Sequence, residues 1–185
     1  MRGLFAFLFI LTLAACGLSD SARLRTDPEL DGLFTQLAQA PDADAAAPVE
    51  QAIVARWLES GSPTVDILLE RASAAESAGD SELAIRFLDE ATDLAPDYAE
   101  TWNRRANIAY RAEDYSGAIA AIQETLKRDP RHFAALAGLG LIYEELGQQP
   151  AALEAYRAAL AVHPFYEIAI QGVRRLEPRV DGRDA

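Results

Sequence analysis

Between Val65 and Pro164 apolar residues recur at three- and four-residue spacing, in blocks that end on a proline. Pro96, Pro130 and Pro164 each stand 34 residues after the last. The spacing predicts amphipathic helices, and a proline just beyond such a pattern stops one. Aligned from Val65, Ala99 and Phe133, the blocks bring small residues into register: Ala72, Ala106 and Gly140 early, then Ala84, Ala118 and Ala152. Small side chains at facing positions let two helices touch, so each block reads as a helical hairpin. One hairpin cannot bury its apolar side alone, and a repeat of this length predicts a stack.

The flanks carry the helical period without the repeat. Asp27 is placed to cap a first helix opened by Pro28, with Leu30, Leu33, Phe34 and Leu37 on one face. The stretch from Pro41 to Pro48 is expected to break it, and a second helix follows with Ile53, Val54, Trp57 and Leu58 until Ser60-Gly61-Ser62-Pro63. This pair reads as an N-terminal cap or a degenerate half-partner of the repeats, with Trp57 in its core. Glu167 to Leu176 gives one more helix, with Ile168, Ile170, Val173 and Leu176 inward, placed to cap the last hairpin. No run alternates long enough to propose a strand. The expected division is 1–15 a signal peptide, 16–26 a tether, 27–63 the helix pair, 64–98, 99–132 and 133–166 the hairpins, 167–178 the capping helix and 179–185 a disordered tail.

The three blocks resemble tetratricopeptide (TPR) repeats. The middle one is the nearest match, with Trp102, Ala106, Asp114-Tyr115, Ala118, Leu126 and Pro130; the third keeps Leu139, Gly140, Tyr143, Gly147, Ala152, Tyr156, Ala159 and Pro164. The first keeps Leu68, Ala72, Gly79-Asp80, Ala84, Leu88, Ala91 and Pro96, and departs at Ala75 and Ser81. The resemblance implies an all-α, right-handed α-solenoid of three TPR helical hairpins between the N-terminal pair and the capping helix, with Trp102 packed inside its hairpin.

By the same resemblance, the first helix of each repeat lines a concave groove that binds a protein or peptide partner. Carried over by register, the groove residues are Glu100, Asn103, Asn107, Tyr110, Leu141 and Glu144, flanked by Asp66, Leu69, Ser73 and Glu76 in the first repeat and by Ala134 and Ala137 in the third; Arg111 extends the stripe. An asparagine amide both donates and accepts, which suits the main chain of an extended peptide at Asn103 and Asn107. The carboxylate clamp by which some family members take chaperone tails is not implied. Leu69 and Ser73 stand at the positions for its lysine and asparagine, and Ala134 and Gly138 follow in the third repeat. The alternative is a structural subunit whose groove is filled by its own N-terminal helices or by a second copy in a homodimer.

The start of the chain reads as an address. Met1-Arg2 precedes the apolar run Leu4 to Leu11 and the small residues Ala14-Ala15 before Cys16, the pattern of an export signal and too short to span a bilayer. Leu13-Ala14-Ala15-Cys16 resembles a bacterial lipobox, which implies lipidation of Cys16, the only cysteine, and anchorage to a membrane facing the periplasm. Gly17 after the cysteine implies sorting to the outer membrane.

Charge and chemistry narrow the reading further. The net charge is −12, and residues 61–98 hold nine acidic against two basic residues; the middle block alone is net basic, by one. An acidic chain without a basic stripe is repelled by phosphate backbones, so a nucleic-acid partner is not expected. Two histidines, no further thiol and no glycine-rich phosphate loop leave no catalytic constellation, metal site or cofactor to propose. The chain reads as a binding module and not an enzyme.

Overall fold

The computed structural model describes residues 27–180 and 182. The expected signal peptide, Cys16, the tether and most of the polar tail lie outside the described residues. The described chain is helical throughout: α1 (Pro28–Gln39), α2 (Ala43–Trp57), α3 (Pro63–Ser77), α4 (Ser81–Leu94), α5 (Ala99–Arg111), α6 (Tyr115–Arg128), α7 (Phe133–Glu145), α8 (Gln149–Val162) and α9 (Glu167–Val180). Helices α3–α4, α5–α6 and α7–α8 are the three hairpins, and α9 closes the stack against α8 and α7.

Each hairpin turns the same way. The amides of Asp80, Asp114 and Gln148 reach back to the carbonyls of Ala75, Ala109 and Tyr143, and those of Gly79, Glu113 and Gly147 to Glu76, Tyr110 and Glu144. This pair of bonds closes a helix through one left-handed residue. Gly79 and Gly147 take that conformation freely, whereas Glu113 holds it at φ 58° against the strain of its Cβ. Asp80 and Asp114 then cap α4 and α6, their carboxylates accepting from the amides of Leu83 and Gly117, both at 2.9 Å.

Within the hairpins the small residues meet as expected. Ala72, Ala84, Ala106, Ala118 and Ala152 are all buried. In the third hairpin the Tyr156 ring fills the space they leave. A Cβ built on Gly140 would stand 2.6 Å from that ring and one on Gly172 2.4 Å, so the ring is clamped between two bare backbones.

Three expectations at the edges need correction. Pro48 does not break the chain: α2 begins at Ala43, where the Asp42 carboxylate accepts from the Ala45 amide at 2.9 Å. A proline six residues into a capped helix removes one hydrogen bond without stopping it. Likewise α9 runs through Pro178 to Val180. Trp102 is half-buried at the hairpin edge. Its indole N–H points at the Pro96 carbonyl at 3.4 Å, and the guanidinium groups of Arg128 and Arg105 lie 4.7 and 5.7 Å from its ring. Cations cover a face that the apolar core does not.

The N-terminal pair does not cap the first repeat. Phe34, Leu37, Ala46, Ile53 and Trp57 form one core with Phe133, against which Ala134, Val162, Phe165 and Tyr166 pack. The pair therefore docks on the start of α7 and the α8–α9 turn. Ile67 on α3 and Leu94 on α4 stay 50% and 59% exposed, as expected of an end without a cap.

Candidate functional site

The first-helix face of the stack is divided in two by that docking. At the turn before α7, the Trp57 indole stacks on the His132 imidazole with centroids 4.0 Å apart and donates from Nε1 to Asp129 at 2.8 Å. The Trp57 carbonyl accepts from the Tyr98 hydroxyl at 2.6 Å, which ties the same residue to the start of α5. Arg131 lies 4.2 Å over the Phe34 ring and pairs with Asp31 at 2.8 Å. His163 accepts at Nδ1 from the Phe165 amide, so Nε2 carries the proton that faces Glu50 at 3.0 Å. The pair thus straps three successive turns and covers Ala134, the first groove position of the third repeat.

The C-terminal end of the face is tied up from the other side. The Glu144 carboxylate accepts from the Tyr156 hydroxyl at 2.9 Å and from Arg175 Nε at 2.9 Å. The Arg175 bond, followed by that from Tyr156, holds the Glu144 carboxyl below the usual carboxylate range against its burial. Leu141 packs into the cluster around Tyr156, Ala159 and Leu176. Both residues were expected to face a partner, and both serve the join between the third hairpin and α9.

Glu100 and Asn103 are also engaged within the chain. The Asn103 amide donates to Glu100 at 3.0 Å, and Arg104 Nε to the same carboxylate at 3.2 Å. His132 Nε2 stands 3.5 Å from Glu100, long for a hydrogen bond, so the contact is electrostatic. Burial pushes the Glu100 carboxyl up, but His132, Arg104 and Asn103 together hold it below the usual range. This cluster locks α5 to the turn before α7.

What stays open lies between α3 and α5. Arg104 reaches across to donate to the Leu69 carbonyl at 3.2 Å and to the Ser73 hydroxyl at 2.7 Å, and Arg111 pairs with Glu76 at 2.9 Å. Asn107 sits between these two clasps, three residues after one and four before the other, and so on the same helix face. It is exposed, and its side chain has no hydrogen-bond partner among the described residues. Tyr110, half-buried against Tyr115 at 6.0 Å, closes the far side. Next to the Arg104 clasp a cleft of about 390 Å3 is lined by Leu58, Asp66, Leu69, Glu70, Ser73 and Arg104. Neither Leu58 nor Glu70 was read from the sequence as a groove residue. Leu58 read as an inward residue of the second helix, yet it is 45% exposed because α2 ends at Trp57 and Leu58 lies just beyond it.

Comparison with known proteins agrees with this geometry. Family models described as tetratricopeptide repeat match residues 65–98 and 103–167. A TPR repeat-containing protein of Rhizobium etli is 36% identical over 153 residues, covering 83% of this chain and 75% of that protein. Among solved structures, the Arabidopsis OM64 TPR domain superposes with a TM-score of 0.57 at 23% identity, covering 60% of this chain and 93% of that one. The first TPR domain of Spaghetti (RPAP3), bound to an HSP90 peptide, gives 0.59 at 17% identity over 64% and 94%. At these identities the two structures speak to the fold alone.

Proposed function

This chain belongs to the tetratricopeptide repeat family, and from that premise we propose that it is an envelope adaptor whose open half-groove holds a segment of another protein. The observation that carries the reading is the lane between α3 and α5, where Asn107 is uncommitted between two arginine clasps, one hydrogen-bonded and one ion-paired, while the rest of the face is spent on internal contacts. The Asn107 amide offers an extended segment both a donor and an acceptor. The residues that distinguish a chaperone-tail clamp are missing, so the segment is of another kind.

The site of action rests on the sequence. The charged start, the apolar run and the small residues before Cys16 support export, and the likeness to a lipobox supports lipidation of Cys16. The adaptor is then anchored to a membrane facing the periplasm, and Gly17 favours the outer membrane. It would serve envelope assembly, secretion or cell-wall remodelling. Two measurements test this. Cys16→Ser should release the protein from the membrane fraction; unchanged attachment rejects the anchor. A photo-crosslinking residue at position 107 in living cells should capture one foreign protein, identified by mass spectrometry; its absence rejects the adaptor.

The docking of α1–α2 on Phe133 and Ala134 favours a second reading for the other half of the face, that it is a structural surface filled by the chain itself. A crosslinker at Ala134 should then reach only residues 27–57. A foreign adduct at that position would show the C-terminal half to be a binding surface as well.

A further inference from the structure

Resting on the half-groove reading above, we propose that the cleft at the α2–α3 corner takes a cationic side chain with an aliphatic stem, a lysine or arginine of the extended partner segment. Its walls are of two kinds. Leu58 and Leu69 are apolar, with Leu58 largely free, and Val54 one turn before it is also exposed. Asp66 and Glu70 stand four residues apart on α3, one turn apart on the same face, and both line the cleft. Like charges at that spacing repel, so a cation placed between them relieves a conflict that the folded chain retains.

The one positive charge that lines the cleft is already ion-paired within the chain. Arg104, its one cation, spends its guanidinium on Glu100, the Leu69 carbonyl and Ser73. Asp66 uses one oxygen on the amide and hydroxyl of Ser60, and Glu70 has no partner among the described residues. The repeat that holds the cleft, residues 61–98, carries nine acidic against two basic residues, a net charge that favours a cation over an anion. A long basic side chain can lay its methylenes on the exposed Leu58 while its head reaches the carboxylates. Ser73 accepts from Arg104 and keeps its own hydroxyl proton, which can be given to a partner's main-chain carbonyl. Asn107 continues the same lane.

The test uses the full-length chain in neutral detergent and three fluorescein-labelled peptides, Ala-Leu-Lys-Leu-Lys-Ala and its versions with both lysines changed to glutamine or to glutamate, read by anisotropy. The lysine peptide should bind most tightly and weaken with added salt. Glu70→Gln should weaken it about two- to fivefold and Glu70→Lys about tenfold, the size of one exposed ion pair lost and then reversed. Helical circular dichroism should not change, because Glu70 is exposed and unbonded. Equal binding of the glutamate peptide, or binding lost in Asn107→Ala but unmoved in Glu70→Lys, overturns the cationic preference and leaves the half-groove standing. No binding of any peptide together with no foreign adduct from position 107 overturns both. Crosslinks from position 70 that reach only a second copy, or only residues 17–26 of the same chain, also overturn it.

Discussion

The indole of Trp57 lies flat on the imidazole of His132, with 3° between the ring planes. His132 is 1% exposed and is itself fixed by the Ala135 amide donating to its Nδ1 at 3.2 Å. The last residue of α2 is thereby joined to the cap of α7. Since the Trp57 carbonyl also holds Tyr98, one side chain and its own backbone bridge two successive inter-repeat turns. This join decides which half of the groove remains free.

Removing it should therefore undock the N-terminal pair before the repeats melt. Trp57→Ala is expected to cost about 3–5 kcal/mol, the usual range for deleting a buried aromatic. Trp57→Phe keeps a ring on His132 but loses the bond to Asp129, and should cost about 1–2 kcal/mol. Urea unfolding gives both numbers. Near-UV circular dichroism should lose signal at low urea for the alanine variant only. A wild-type midpoint for Trp57→Ala rules the join out as a structural element.

The clamp on Tyr156 makes a sharper prediction. With Cβ positions 2.6 and 2.4 Å from its ring, Gly140→Ala and Gly172→Ala each force a rigid aromatic in a packed core to move, at about 1–3 kcal/mol. Combining Gly140→Ala with Tyr156→Leu removes the clash, so the double variant should be more stable than the sum of the two single changes. Strict additivity in urea unfolding defeats this account.

The hairpins were legible in the sequence because their information is local: prolines at a fixed period, small residues in register and turn residues at set offsets. The docking of α1–α2 was not, since nothing in a helix pair says which distant turn it will meet. A signal was nonetheless present. Phe133, Phe165 and Tyr166 flank the inter-repeat turns and are not used by the repeat pattern, and three aromatics there ask for a partner. The groove was legible only as positions. Whether Glu100, Asn103, Glu144 and Leu141 face a partner or each other depends on what His132, Arg175 and α9 do, which register alone does not give. Trp102 left its expected place because Arg105 and Arg128 were at hand to cover it.

The Glu144–Arg175 tie predicts a response to acid. A carboxyl held below its unfolded value adds stability above that value and loses it as pH falls through the folded one. Glu144 lies below the ordinary glutamate value of about 4.5, so its contribution is full at neutral pH and fades only below that point. Glu144→Gln should cost about 1 kcal/mol at pH 7. The gap between wild type and variant should close as unfolding is repeated toward pH 3. A gap that stays constant or widens there assigns the loss to packing instead of charge.

Glu113 offers the final prediction, and it runs in the stabilising direction. It occupies the same turn position as Gly79 and Gly147 and makes the same backbone bond, yet it alone carries a Cβ in the left-handed region. Its side chain is exposed, so little packing is lost with it. Glycine removes the strain but also gives the unfolded chain more freedom, and the strain is the larger of the two at this kind of helix end. Glu113→Gly should therefore raise stability by about 0.5–1 kcal/mol, seen as a higher urea midpoint with an unchanged slope. Gly79→Ala should move the midpoint the other way by a similar amount, because it installs the strain that Glu113 already bears. Opposite shifts at the two positions would establish that the middle hairpin, which carries the open lane at Asn107, is held in a turn its own sequence does not favour. Parallel shifts would mean that the left-handed residue is not what sets the energy of these turns.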